Sequence, residues 1–141
     1  MFNLSVLETV AECDYLLAEV VGDTNDLIVR KSNLETQISN NTTLATTSPA
    51  NLASLDSQIA AKQAQLAAAT DESDQRAIQI DIFELNTKKL RLLEKVDNVE
   101  GMALADKQRD LRKVEKHIEA MDEYKLAIEA RKTELQAGGT N

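Results

Sequence analysis

The chain is 141 residues long, contains four glycines and one proline, and carries a formal net charge of −8. Because Gly and Pro are the strongest interrupters of regular structure, these counts favour long helices. Aromatic residues make up 3% of the sequence, fewer than the cores of β-sandwiches and α/β enzymes normally use. An acidic chain repels phosphate backbones, so a nucleic-acid partner is disfavoured.

The N-terminal segment has neither the basic start nor the apolar run of a secretory signal. The apolar runs elsewhere are a few residues long, far short of a membrane span. The sequence therefore predicts a cytoplasmic protein without a transmembrane segment.

The first predicted helix covers residues 5–42. Ser5 and Glu8 form a capping-box pattern, in which each side chain accepts a hydrogen bond from a free backbone N–H at the helix start. Apolar residues then recur with alternating spacings of three and four, which is typical of a coiled-coil seam. The interaction seam predicted on this helix consists of Val10, Leu17, Val20, Leu27, Leu34 and Ile38.

A Thr- and Asn-rich stretch over residues 40–49 predicts a break and a reversal of the chain. Thr and Asn side chains compete with helical hydrogen bonds, and Ser48-Pro49 has the pattern of a helix start. The second helix is expected over 49–69.

The polar residues 70–75 suit either a turn or a polar collar on a continuous helix, and the change of seam phase across them favours a break. A third helix is expected over 72–100 and a fourth over 102–137. Gly101 marks either a tight turn or a kink in one continuous helix, and the lack of a polar loop favours the kink. Gly138 and Gly139 should end the last helix and leave 138–141 disordered.

The last helix continues the predicted interaction seam, with lysines interrupting it. Its apolar seam residues are Leu111, Val114, Ile118, Met121, Ile128 and Leu135. Polar residues at seam positions, on this helix and on the earlier ones, include Lys31, Lys62 and Lys132. Such residues can fix register and oligomer number. We expect their stems to lie along the seam while the ammonium groups reach water.

No catalytic, cofactor or metal pattern is readable. His117 is the only histidine, and the residue three before it is Val114, so the Glu-x-x-His motif of di-iron bundles is missing. Cys13, on a seam position, is expected to be a buried structural thiol because no cation within a turn would lower its pKa. The sequence therefore predicts a non-enzymatic protein without cofactors.

The predicted fold is all-α, with long antiparallel helices forming a coiled coil or elongated bundle as a single domain over residues 1–137. The predicted function is that of a structural or scaffolding protein that binds a protein partner or itself, most readily as a homo-oligomer. One alternative is a helical-hairpin chaperone or adaptor for secretion or assembly, and another is a small-ligand or metal-binding bundle. In architecture alone, the chain resembles the hairpins of prefoldin-type and export chaperones.

Overall fold

The computed structural model describes residues 2–139, which form three α-helices. Helix α1 spans Val10–Ala68, α2 spans Glu72–Val99 and α3 spans Met102–Gly138. No residue of this described range lies in a β-strand. The predicted all-α helical bundle is confirmed.

The first helix begins later than Ser5, so that predicted start is wrong. The Asn3 side chain accepts hydrogen bonds from the Ser5 N–H at 3.2 Å and the Ser5 hydroxyl at 2.7 Å. The Leu7 N–H donates to the Leu4 carbonyl at 3.0 Å, closing a turn. Leu7 is thereby free of helical hydrogen bonding, and its side chain joins the core.

A second capping box, four residues further on, starts α1 instead. The Thr9 hydroxyl accepts from the Glu12 N–H at 3.2 Å. The Glu12 carboxylate accepts from the N–H groups of Glu8 and Thr9 at 2.8 and 3.0 Å. These contacts satisfy donors that the first helical turn leaves without carbonyl partners, so the helix starts at Val10.

The predicted break and reversal over residues 40–49 are wrong, because α1 continues through Pro49. Four of the hydroxyl groups in this stretch do not compete with the helix, because each donates to the carbonyl four residues earlier. The donors are Thr42, Thr46, Thr47 and Ser48. Such bonds leave the helical N–H to carbonyl ladder in place. The separate helices expected at 5–42 and 49–69 are therefore one 59-residue helix.

The predicted break near Thr70 is confirmed, since α1 ends at Ala68 and α2 begins at Glu72. The Gln75 side-chain amide donates to the Ala69 carbonyl at 2.9 Å, and so satisfies a group left over at the end of α1. Asp71 caps α2 by accepting from the Ser73 N–H at 3.4 Å.

The sequence favours one continuous, kinked helix through Gly101, and that prediction is wrong. Gly101 has a φ of 61°, a left-handed conformation that costs little without a Cβ atom. The Glu100 N–H donates to the Val96 carbonyl at 3.0 Å at the end of α2, and α3 begins at Met102. Within the predicted tail, Gly138 is still helical and Gly139 lies in a turn, while residues 140 and 141 fall outside the described residues.

The chain divides into two compact units. The terminal unit comprises the residues up to Thr36 and those from Lys107 onward, whereas the central unit spans Gln37–Asp106. The terminal unit has a buried cluster of Leu7, Cys13, Val20 and Ile128. Buried residues of the central unit include Ser48 and Ile59.

In the terminal unit, α1 and α3 run antiparallel. Lys132 lies 2.6 Å from Asp14, and Lys31 lies 3.3 Å from Glu115. Asp14 and Lys31 are as many residues apart along α1 as Glu115 and Lys132 are along α3. Their partners, however, follow in the opposite order along the chain. A constant register of this kind is that of two facing antiparallel helices.

In the central unit, the C-terminal part of α1 faces α2 in the same sense. Lys62 lies 2.6 Å from Asp81, and Lys89 lies 2.5 Å from Asp56. The earlier α1 residue is joined to the later α2 residue, so these two segments are also antiparallel.

Candidate interaction surface

The twelve predicted seam residues are all buried or half-buried. Three of them, Val20, Val114 and Ile128, are buried, and the other nine are half-buried. Eleven lie in the terminal unit, whereas Ile38 lies in the central unit. Several pack into the core of this same chain: Leu17, Met121 and Leu135 lie against the buried cluster. That these residues also form an interface with another protein stays a prediction.

The lysines at seam positions bind carboxylates on the facing helix. Lys31 pairs with Glu115 and Lys132 with Asp14 in the terminal unit, and Lys62 pairs with Asp81 in the central unit. The lysine side chains are 29–35% exposed, so the ammonium groups are partly solvated as expected. The acidic partners of these lysines were not predicted from the sequence. These pairs favour one register over the neighbouring ones, since a shifted helix would separate them.

The packing face of α2 consists of apolar residues that share one heptad frame, and the structure places them half-buried. They are Ile78, Ile82, Leu85, Leu92, Val96 and Val99. None of the residues of α2 is fully buried. The helix therefore packs through a shallow contact, and much of its apolar surface stays accessible.

A second apolar stripe runs along the opposite side of α2. We call it the outer stripe and define it as Ile80, Phe83, Thr87 and Leu90. Its large side chains, Ile80, Phe83 and Leu90, are 59%, 71% and 67% exposed. Residues two apart on a helix point roughly 200° apart, so Ile80 projects away from the packing face that contains Ile78 and Ile82.

The outer stripe has the spacing of a coiled-coil seam. Its members follow one another at three, four and three residues, the alternation that keeps side chains on one helical face. Thr87 is half-buried, and its hydroxyl donates to the Phe83 carbonyl at 2.9 Å, so that its methyl group is the part left for packing. The outer stripe was not predicted from the sequence, because it lies out of phase with the heptad frame of the packing face.

A smaller apolar surface lies at the start of α1 in the terminal unit. Val6 and Tyr15 are exposed, and they line a shallow groove with Leu7 and Leu16. A hydrogen bond and the negative charge of Glu19 both raise the pKa of Tyr15. The neutral phenol, whose O–H donates to the Glu19 carboxylate, is therefore favoured.

The residues considered for chemistry lie apart from one another. Cys13 is fully buried in the core of the terminal unit, which confirms the prediction of a buried thiol. His117 is exposed and lines an open groove with Leu27 and Met121. The acidic Asp23 and Asp26 and the basic Arg30 line the same groove. A groove of this kind offers contacts to a polar segment but brings no nucleophile and base together.

Metal sites and membrane spans are two further features without a candidate in the described residues. Across residues 2–139, His, Cys, Asp and Glu side chains form no group of three or more able to hold a metal ion. None of the helices in the described part of the chain combines the length and apolar character needed to cross a membrane. Comparison with family models, curated proteins and solved structures finds no match to this chain.

Proposed function

We propose that this protein is a non-enzymatic helical scaffold that acts by binding other protein surfaces, in the first place a second copy of itself. The observation that carries the proposal is the outer stripe of α2, an apolar seam that lies opposite the packing face of the same helix. Helices normally bury apolar residues on one side and present polar ones on the other. A second seam with large exposed side chains is typical of a helix that packs on two neighbours.

The ion pairs between facing helices support this function. In the central unit, Lys62–Asp81 and Lys89–Asp56 hold α2 in one register against α1. Side chains on the outer stripe are consequently presented in a fixed order along the helix. A partner helix can therefore bind the stripe without the cost of first fixing the position of α2.

The polar surface around the stripe favours a protein partner over a nucleic acid. The net charge of −8 opposes binding to phosphate backbones. The apolar stripe lies on a helix that carries charges of both signs, a composition that suits pairing with another amphipathic helix. A cytoplasmic location, expected from the sequence, accompanies this proposal.

Light scattering coupled to size-exclusion chromatography, repeated over a wide range of protein concentrations, tests self-assembly. We expect the mean molar mass to rise above that of one chain as concentration increases, and the melting temperature to rise with it. A molar mass of one chain throughout, with a concentration-independent melt, would contradict self-assembly.

A further inference from the structure

Polar and charged residues extend the outer stripe at both ends, and the charges at one end are opposite in sign to those at the other. With the same spacing of three and four, the row begins at Ser73 and Arg76 and finishes at Glu94 and Asp97. These four side chains are exposed. One end of the stripe is therefore basic and the other acidic, with the three large apolar residues between them.

We infer that the outer stripe is the contact with a second copy of this chain, and that the two α2 helices pair antiparallel about a two-fold axis. This inference rests on the proposed scaffold function and specifies its partner and surface. A two-fold contact presents the same surface from both copies, so the surface must be complementary to itself. An antiparallel pairing brings the basic end of each stripe to the acidic end of the other.

The layers of this pairing follow from the spacing alone. When the two-fold axis crosses the pair at the level of Leu85 along the helix, Arg76 lies across from the partner's Glu94. Ser73 then lies across from the partner's Asp97. Ile80 then packs on the partner's Leu90, and Phe83 packs on the partner's Thr87. Every large apolar side chain of the stripe meets an apolar or methyl-bearing one, and each charged layer joins opposite signs or a hydroxyl to a carboxylate.

The edge of the stripe gives a second, independent match. In an antiparallel pair of helices, a residue on one edge faces the same edge of the other helix. Glu84 and Arg91 occupy the same edge, one heptad apart. Glu84 therefore lies next to the partner's Arg91, and the symmetry axis repeats this contact. Opposite charges flanking a seam select both partner and orientation.

These charges are available for an intermolecular contact. Arg76, Glu84, Arg91 and Glu94 are exposed, and within residues 2–139 none of them has an ion-pair partner. By contrast, Lys62 and Lys89, which face the contact with α1, are already paired. These four charges thus lie on the extended row or on its edge, where a second helix packed on the stripe would meet them.

A parallel pairing of the same stripe is disfavoured. It would set Arg76 against the partner's Arg76 and Glu94 against the partner's Glu94. Like charges directly opposed across a seam are repulsive and count against that arrangement. The distribution of charge therefore selects the antiparallel orientation from the two that the apolar layers allow.

Charge reversal on the edge of the stripe tests the inference. We expect Glu84→Arg or Arg91→Glu alone to raise the dimer dissociation constant by about tenfold or more, because each replaces two attractive contacts with two repulsive ones. Mixing the two single variants should restore dimers, since each supplies the charge the other lacks. The double variant should also dimerise.

Molar mass from light scattering gives the readout. Lys95→Glu is the control, because it reverses an exposed charge of the same helix away from the stripe, and it should dimerise like the wild type.

The outcomes separate this inference from the broader proposal. Loss of dimers in each single variant, with recovery on mixing, supports antiparallel pairing through the outer stripe. A dimer that persists unchanged in Arg91→Glu and in Phe83→Glu would overturn the inference and leave self-assembly through another surface standing. A wild-type protein that stays monomeric would overturn both. Circular dichroism of each variant confirms that the helices are intact.

Discussion

At the residue scale, local hydrogen bonds decide where α1 begins and why it continues through its Thr-rich stretch. The sequence contains two successive capping boxes, Ser5 to Glu8 and Thr9 to Glu12. The local pattern does not show which of the two starts the helix. Tertiary contacts decide in favour of the second. The Arg131 guanidinium donates to the Leu7 carbonyl from Nε at 3.1 Å and from Nη2 at 2.9 Å. A helix starting at Ser5 would have used that carbonyl internally.

The cap at Glu12 predicts a pH dependence. Two backbone N–H groups, of Glu8 and Thr9, lower the pKa of the Glu12 carboxyl below its ordinary value of 4.5. A carboxyl whose folded-state pKa is lowered stabilises the fold above its ordinary pKa, and this contribution is lost as pH falls through the lowered value. We expect the protection factors of the amides at the start of α1, measured by NMR hydrogen exchange, to fall below about pH 4.5.

Glu12→Gln is the matched control for this titration. Its amide oxygen still accepts from the backbone N–H groups, but it does not titrate. The protection factors at the start of α1 should lose their dependence on acidic pH in this variant. An unchanged dependence would assign the effect to another group.

Pro49 carries a local cost that the chain tolerates. It has no N–H to donate to the Ala45 carbonyl four residues earlier, although it lies in the interior of α1. Pro49→Ala should raise the free energy of unfolding by about 2 kcal/mol, after allowing for the greater freedom of Ala in the unfolded chain. Urea denaturation measures the change. A lower midpoint would mean that the proline is needed for the local conformation.

At the scale of the elements, the heptad pattern predicted which residues line the seams but not which residues face each other. The positions of Lys31, Lys62 and Lys132 in the seams were predicted from spacing. Their partners lie on other helices, and a periodic pattern does not encode register between segments. The break at residues 40–49 was placed wrongly because composition does not show that hydroxyl groups bond to carbonyls four residues earlier.

The Lys62–Asp81 pair of the central unit allows a direct test of register. Lys62→Glu would place a carboxylate beside Asp81 and should lower the free energy of unfolding by about 1 kcal/mol, the scale of partly exposed pairs. Lys62→Glu combined with Asp81→Lys should recover most of the loss. Chemical denaturation of the two single variants and the double variant measures the coupling. Additive losses would show that the two side chains do not interact in solution.

At the scale of the whole molecule, the all-α class was predictable because few glycines, one proline and heptad spacing all favour long helices. The division into two units was not, because it depends on contacts between distant parts of the chain. The outer stripe was also missed, although Ile80, Phe83 and Leu90 are evident in the sequence once two seams per helix are considered. The frame from Ile78 to Val99 left these three residues without a predicted role.

Core packing in the terminal unit provides a contrast between two residues of one helix. Ile128 is 0% exposed, whereas Leu126 is 64% exposed. Ile128→Ala should lower the free energy of unfolding by about 3 kcal/mol through lost burial and a residual cavity. Leu126→Ala should change it by less than about 0.5 kcal/mol. Denaturant midpoints compare the two, and equal losses would contradict the placement of α3 in this core.

The claim that this chain assembles through the outer stripe of α2 is tested most directly by sedimentation equilibrium of the wild type and of Phe83→Glu, side by side. The exposed Phe83 side chain contributes little to the fold of its own chain, so both proteins should be equally helical. We expect the wild type to approach twice the mass of one chain with increasing concentration, while Phe83→Glu stays at the mass of one chain. Identical masses for the two proteins at every concentration would contradict the claim.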